Sequence, residues 1–189
     1  MILAPICGYP FAGKSTLLLS LAAAVTDVRY DGENTYFLCG KTPVVILAKE
    51  HQTKMKLVRA LGRAERLHDN PIVLFEITFT LKLWKSLLGA FMTSRQSAVW
   101  VDTPVETCLH RGALDAGTRR VPRGFDMATR AKSFMLIKND LIKAQKEENL
   151  FVCTIPFGVT QDIAVGKLKH FITICDKLNK GEVYDSTRK

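Results

Sequence analysis

The 189 residues contain no apolar run long enough to cross a bilayer. The longest, Leu17 to Val25, is broken by Ser20 and falls far short of the roughly 18 residues needed. No membrane-spanning segment or membrane partner is expected. The segment Met1 to Cys7 has no basic stretch of the kind that opens a secretory signal, so the cytoplasm is the expected compartment. Metal-ligand spacing is missing as well. The cysteines, Cys7, Cys39, Cys108, Cys153 and Cys175, form no C-x-x-C pair, and His51, His68, His110 and His170 stand apart from them and from one another, which excludes a zinc site. An odd number of cysteines set mostly in apolar segments fits small buried hydrophobes in a reducing compartment. Acidic residues are also in short supply, 18 against 27 Lys plus Arg, giving a net charge of +9 and favouring a polyanionic partner such as nucleic acid or a phosphorylated substrate.

What is present is enough for one domain with a core: 47% of the residues are hydrophobic and no repeat or linker interrupts them. Short β-branched runs alternate with helical periodicity, the pattern of an α/β fold with a mostly parallel sheet. Strands are expected at 2–7, 71–76, 97–102 and 150–155, and helices at 50–68, 81–92, 104–114, 127–148 and 160–178. Between Val28 and Ala48 either Tyr36–Cys39 or Val44–Leu47 can be the second sheet strand, the other forming a hairpin or edge.

The most specific signal comes first. Ile2–Cys7 reads as a buried strand and runs directly into Gly8-Tyr9-Pro10-Phe11-Ala12-Gly13-Lys14-Ser15-Thr16, followed by a helical stretch. This is the P-loop pattern G-x-x-x-x-G-K-[ST] in its strand, loop and helix setting. Gly8 and Gly13 let the backbone curl so that successive N–H groups, together with the helix N-terminus, face phosphate oxygens. Lys14 then reaches the β- and γ-phosphates of ATP, Ser15 offers its hydroxyl to Mg²⁺, and Thr16 supports the first helical turn. In open α/β sheets ligands bind beyond the carboxyl ends of the strands. Glu76 and Asp102 end two of the expected strands and are candidates to hold Mg²⁺. For Asp102 the alternative is a cap on the helix that follows Thr103-Pro104.

A second informative stretch runs from Val101-Asp102-Thr103-Pro104 through Arg111 to Gly117-Thr118-Arg119-Arg120-Val121-Pro122-Arg123. Arg111, Arg119, Arg120, Arg123, Arg130 and Lys132 face only Asp115 and Asp126, a balance suited to the charge that develops on a transferring phosphoryl group. Gly112 and Gly117 would let the segment at about 111–124 close as a lid. A strand ending V-D-x-P, a helix ending in Arg and a basic G-T-x-x-V-P segment resemble the phage-type polynucleotide kinases and related small P-loop kinases acting on nucleic-acid hydroxyls.

The resemblance implies a P-loop kinase fold, ATP with Mg²⁺, transfer of the γ-phosphate to a nucleic-acid hydroxyl, most simply a 5′-OH end, and a phage or viral origin. It also implies an acid after the second strand that takes the acceptor proton, with Lys14, Arg119 and Arg120 catalytic and Arg111 and Arg123 on the nucleotide. By distance from the P-loop the acid is Asp31. Glu50, at the end of a better strand and with Lys54 one helical turn on, competes with it. Three positions depart from the family: Ala116 where an Arg precedes the Gly-Thr, Asn34 where an Arg follows the acid, and Glu76-Ile77-Thr78 where Asp-Thr-Asn is usual. No D-x-D signature of an accompanying phosphatase domain is found. The alternatives are a hydroxymethylated base in DNA or a free nucleoside or nucleotide as acceptor, and a nucleotide-binding module without catalysis. Lys82, Lys85 and Arg95 could form a phosphate track or a solvated face, and Trp84 with Phe91 reads as core.

Overall fold

A computed structural model describes residues 1–30, 34–47, 54–77, 79–91, 97–114, 127–148 and 150–181. The order of elements is β1 (Ile2–Cys7), α1 (Lys14–Ala23), β2 (Arg29–Tyr30), β3 (Asn34–Cys39), β4 (Thr42–Leu47), α2 (Lys54–Leu67), β5 (Ile72–Glu76), α3 (Leu81–Ala90), β6 (Ser97–Asp102), α4 (Val105–Leu114), α5 (Met127–Glu147), β7 (Phe151–Pro156) and α6 (Gln161–Asn179).

The strands form one sheet in the order β2-β3-β4-β5-β1-β6-β7. From β4 to β7 all neighbours are parallel, and β2 and β3 extend one edge antiparallel. Parallel strands covered on both faces need apolar side chains throughout, and β1 is buried at all six positions. The choice left open by the sequence is settled: Val44–Leu47 lies in β4 and pairs with β5, while Tyr36–Cys39 lies in β3, folded back on β4. Gly40 takes φ 65° in the two-residue turn between them, a conformation that costs glycine nothing.

On one face α1 packs against α6, tied by Lys169 Nζ donating to the Ala24 carbonyl (2.7 Å) and by Gln161 donating to Ser20 Oγ. On the other, α2 meets α3, and α3 and α4 meet α5. Asp140 of α5 accepts the Leu81 N–H at the first turn of α3 (3.1 Å), and Trp84 is fully buried beside Phe79, a core role in keeping with the sequence. No helix among the described residues is long and apolar enough to cross a membrane.

Candidate active site at the P-loop

Because β5, β1 and β6 are parallel neighbours, their carboxyl ends form one rim, and the glycine-rich loop leaves β1 at its centre. Gly8 has φ 151°, and a Cβ there would stand 3.0 Å from the Val101 carbonyl oxygen, so the loop can run this close to β6 only as glycine. Gly13, φ 96°, forms the N-cap of α1 without a side-chain cap, and the first turn of α1 carries no acidic residue. Neither a capping oxygen nor a carboxylate of that turn competes for the N-terminal N–H groups, and these with the helix dipole attract an anion.

The loop backbone is fixed from three sides. Ala12 N–H donates to the Tyr9 carbonyl (3.1 Å), Thr103 Oγ1 to the Ala12 carbonyl (2.8 Å), and Arg111 Nη1, from the last turn of α4, to the Phe11 carbonyl (3.1 Å). Phe11 itself sits at φ 67°, left-handed for a non-glycine residue, a cost that these bonds offset. Lys14 curls back over the loop, its Nζ donating to the carbonyls of Tyr9 (2.8 Å) and Gly8 (3.1 Å). Pro10 and Ser15 are half-buried, while Thr16 is exposed, its carbonyl accepting from Ser20 Oγ (2.7 Å) in the first turns of α1.

Tyr9 anchors the loop downwards. Its buried ring stacks on Phe134 of α5 (centroids 5.1 Å apart, 13° between planes) and meets Trp100 edge-on (5.2 Å, 86°). Burial, with the Asp102 carboxylate adding to it, pushes the Tyr9 phenol above its ordinary value.

Glu76 and Asp102 flank the loop, as the strand-end pattern implied. Glu76 pairs in register with Ile6 and is half-buried. Asp102 Oδ1 accepts the Trp100 indole N–H (3.0 Å) and lies 3.7 Å from Lys138 Nζ of α5. These contacts, rather than a cap on α4, are what the described structure gives it. No group of three or more His, Cys, Asp or Glu able to hold a metal occurs among the described residues. Mg²⁺, which needs one or two carboxylates, a hydroxyl, phosphates and water, would draw on Ser15 and the strand-end carboxylates of this rim. Of the two carboxylates, Asp102 has its Oδ1 engaged by Trp100 and Lys138.

Asp31, Glu50, Arg119, Arg120 and Arg123 lie outside the described residues, as do Thr78, Arg95 and most of the expected lid. Lys85 turns to Glu148 (2.9 Å) and Glu147 (3.9 Å), which supports the solvated face over a phosphate track. Thr103, Phe134 and Lys138 were not singled out from sequence. Thr103 carried a signal in hindsight, a hydroxyl just past a strand end beside the P-loop strand. Phe134 and Lys138 carried none, since their roles depend on where α5 crosses the sheet.

The class these features define is an α/β P-loop fold with a mostly parallel sheet. Neither the protein-family models nor the curated proteins contain a match to this chain. Among solved structures the chain is similar to deoxyadenosine kinase from M. mycoides with bound dATP, at TM-score 0.46 and 12% identity over 95% of this chain and 100% of that one. A second structure of that enzyme, with the products dCMP and a flexible dCDP, gives TM-score 0.42 and 11% identity over 96% of this chain and 100% of that one.

Proposed function

We propose that the protein is a P-loop kinase that transfers the γ-phosphate of ATP to a hydroxyl of a nucleoside unit, either free or at the 5′ end of a nucleic-acid strand. The observation that carries this reading is the loop at the centre of the rim: Gly8 and Gly13 at positive φ, an uncapped α1 N-terminus, and Lys14 folded over the carbonyls of Gly8 and Tyr9. Such a loop binds a polyphosphate through backbone N–H groups, and Lys14 moves onto the β- and γ-oxygens when they arrive. Mg²⁺, held by Ser15 and by Glu76 directly or through water, would neutralise charge between those phosphates.

Little covalent chemistry falls to the protein in phosphoryl transfer, so its work is positioning and electrostatic stabilisation. Arg111, already bonded to the loop at Phe11, would contact the nucleotide, and Arg119, Arg120 and Arg123 would meet the charge on the transferring group. The acceptor proton needs a carboxylate on the same rim. Strand β4, which precedes Glu50, is two strands from β1, while β2, which precedes Asp31, is four strands away. At about 4.8 Å per strand the first is the shorter reach, and this favours Glu50.

Transfer from γ-labelled ATP with Mg²⁺ to a panel of 5′-OH and 5′-phosphate oligonucleotides, hydroxymethylated DNA, and free nucleosides and nucleotides tests the reading. We expect label on a 5′-OH end or a nucleoside, lost with ATP binding in Lys14→Ala. In Glu50→Gln and in Arg119→Ala with Arg120→Ala, turnover should fall with ATP binding kept. ATP binding with no label on any acceptor would overturn the kinase reading in favour of a nucleotide-binding module.

A further inference from the structure

Helix α2 carries five cationic residues, Lys54, Lys56, Arg59, Arg63 and Arg66, against one acid, Glu65. Its apolar side, Leu57, Ala60, Leu61 and Ala64, is buried in the core. Lys56, Arg59, Arg63 and Arg66 are all exposed, and their 3-4-3 spacing at 3.6 residues per turn confines them to an arc of about 80°. They form one stripe, roughly 15 Å long at 1.5 Å per residue.

An ordinary solvated helix face intersperses the two signs, because like charges three or four residues apart repel and cost a few tenths of a kcal/mol each. Within α2 itself three successive pairs, 56–59, 59–63 and 63–66, are alike in sign, and the helix carries a single acid, Glu65. Position adds to composition. β4 ends, and β5 begins, at opposite ends of the sheet, so α2 runs from the rim that holds the P-loop back along the molecule. The stripe therefore starts towards the rim that holds the P-loop, following a strand two removed from β1, and leads away from that rim. A free nucleoside has no use for such a track, whereas a strand whose end lies at the rim has a charge to place every few ångströms along it.

We infer that the basic stripe of α2 binds the sugar-phosphate backbone of a nucleic-acid strand. The inference rests on the kinase reading only for its meaning, that the acceptor hydroxyl belongs to a strand end, since the binding itself can be measured without ATP. Arg59 and Arg66 are the residues to change. In R59Q/R66Q, anisotropy of a labelled single-stranded oligonucleotide should report affinity lower on the order of tenfold. The slope of log K against log salt should become shallower by about 1.4, at about 0.7 per single-strand phosphate contact. K143Q/K146Q on α5 removes the same charge from another exposed helix, and should change both quantities far less. DNA and RNA strands of equal length show which sugar is preferred.

Equal loss in the two double variants would mean that only net charge matters, and would overturn the assignment to α2. So would unchanged oligonucleotide binding in R59Q/R66Q, or a wild-type affinity for phosphatidylserine vesicles that these substitutions abolish while oligonucleotide binding persists. Oligonucleotide binding that depends on Arg59 and Arg66, with no label transferred to any hydroxyl, would leave this inference standing and remove the kinase reading. Transfer to nucleosides with strand binding indifferent to the substitutions would do the reverse.

Discussion

Thr103 shows how a single hydroxyl can set the shape of a phosphate site. Its side chain is buried, and its Oγ1 donates at 2.8 Å to the carbonyl of Ala12, one residue after the strained Phe11. Thr103→Val keeps the volume and removes the donor, leaving a buried carbonyl without that partner at a cost of about 1–3 kcal/mol. Thermal or denaturant unfolding should show this loss. Because the carbonyl belongs to the P-loop, ATP affinity should fall too, and Thr103→Ser should restore both. Lowered stability with ATP affinity unchanged would mean that the bond is mere packing and does not shape the loop. Arg111 acts on the neighbouring carbonyl from the exposed side, so its bond is worth less to folding and is the more easily exchanged for a ligand.

Among the elements, α5 joins the P-loop to β6 and α3. It stacks Phe134 under Tyr9, sets Lys138 against Asp102, and accepts the α3 N-terminus on Asp140. Phe134 is almost completely buried, and Phe134→Ala should cost about 3–5 kcal/mol from lost transfer energy and the cavity left behind. Since the lost ring is the one on which Tyr9 rests, ATP binding should weaken beyond what the unfolded fraction explains. Phe134→Leu should recover most of the stability but less of the affinity. Equal recovery of both would show that the ring geometry does not matter.

The sequence made the elements themselves legible, because buried parallel strands such as Ala98–Val101 are continuous apolar runs and because the P-loop has a spelling of its own. Among the described residues the boundaries moved by a few residues at most, and the expected start of α2 at Glu50 lies outside them. Strand order was not legible. Tyr36–Cys39 and Val44–Leu47 have equal strand character, and only pairing with β5 separates them. The same holds for the site: Gly8, Lys14, Glu76 and Asp102 are marked by local pattern, whereas the contacts of Thr103, Phe134 and Lys138 join residues tens of positions apart. The basic stripe on α2 is written in the sequence as a spacing of 3, 4 and 3.

At the scale of the whole molecule, the fold buries three of its thiols, Cys7, Cys108 and Cys175, and half-buries the other two, and this makes stability fall at alkaline pH. All five cysteines are free. Burial pushes Cys175 up to about 12, raises Cys7 further still, and also lifts Cys39, Cys108 and Cys153 above the ordinary thiol value. An unfolded thiol ionises near pH 8.5, while the folded one keeps its proton. Above that pH the unfolded state therefore binds fewer protons than the native state, and stability falls as pH rises. Each fully buried thiol removes on the order of 1.4 kcal/mol per pH unit until its own folded value is reached, which for Cys175 is about 12. Below pH 8 the same groups are neutral in both states and contribute no pH dependence. The melting temperature should thus be flat in this respect up to about pH 8 and decline between pH 8 and 9.5, before lysines and tyrosines titrate. Replacing Cys7 and Cys175 together by alanine should lower the midpoint at pH 7 through lost packing and flatten the alkaline decline. A decline as steep as that of the parent would mean that these two thiols are not the groups being titrated.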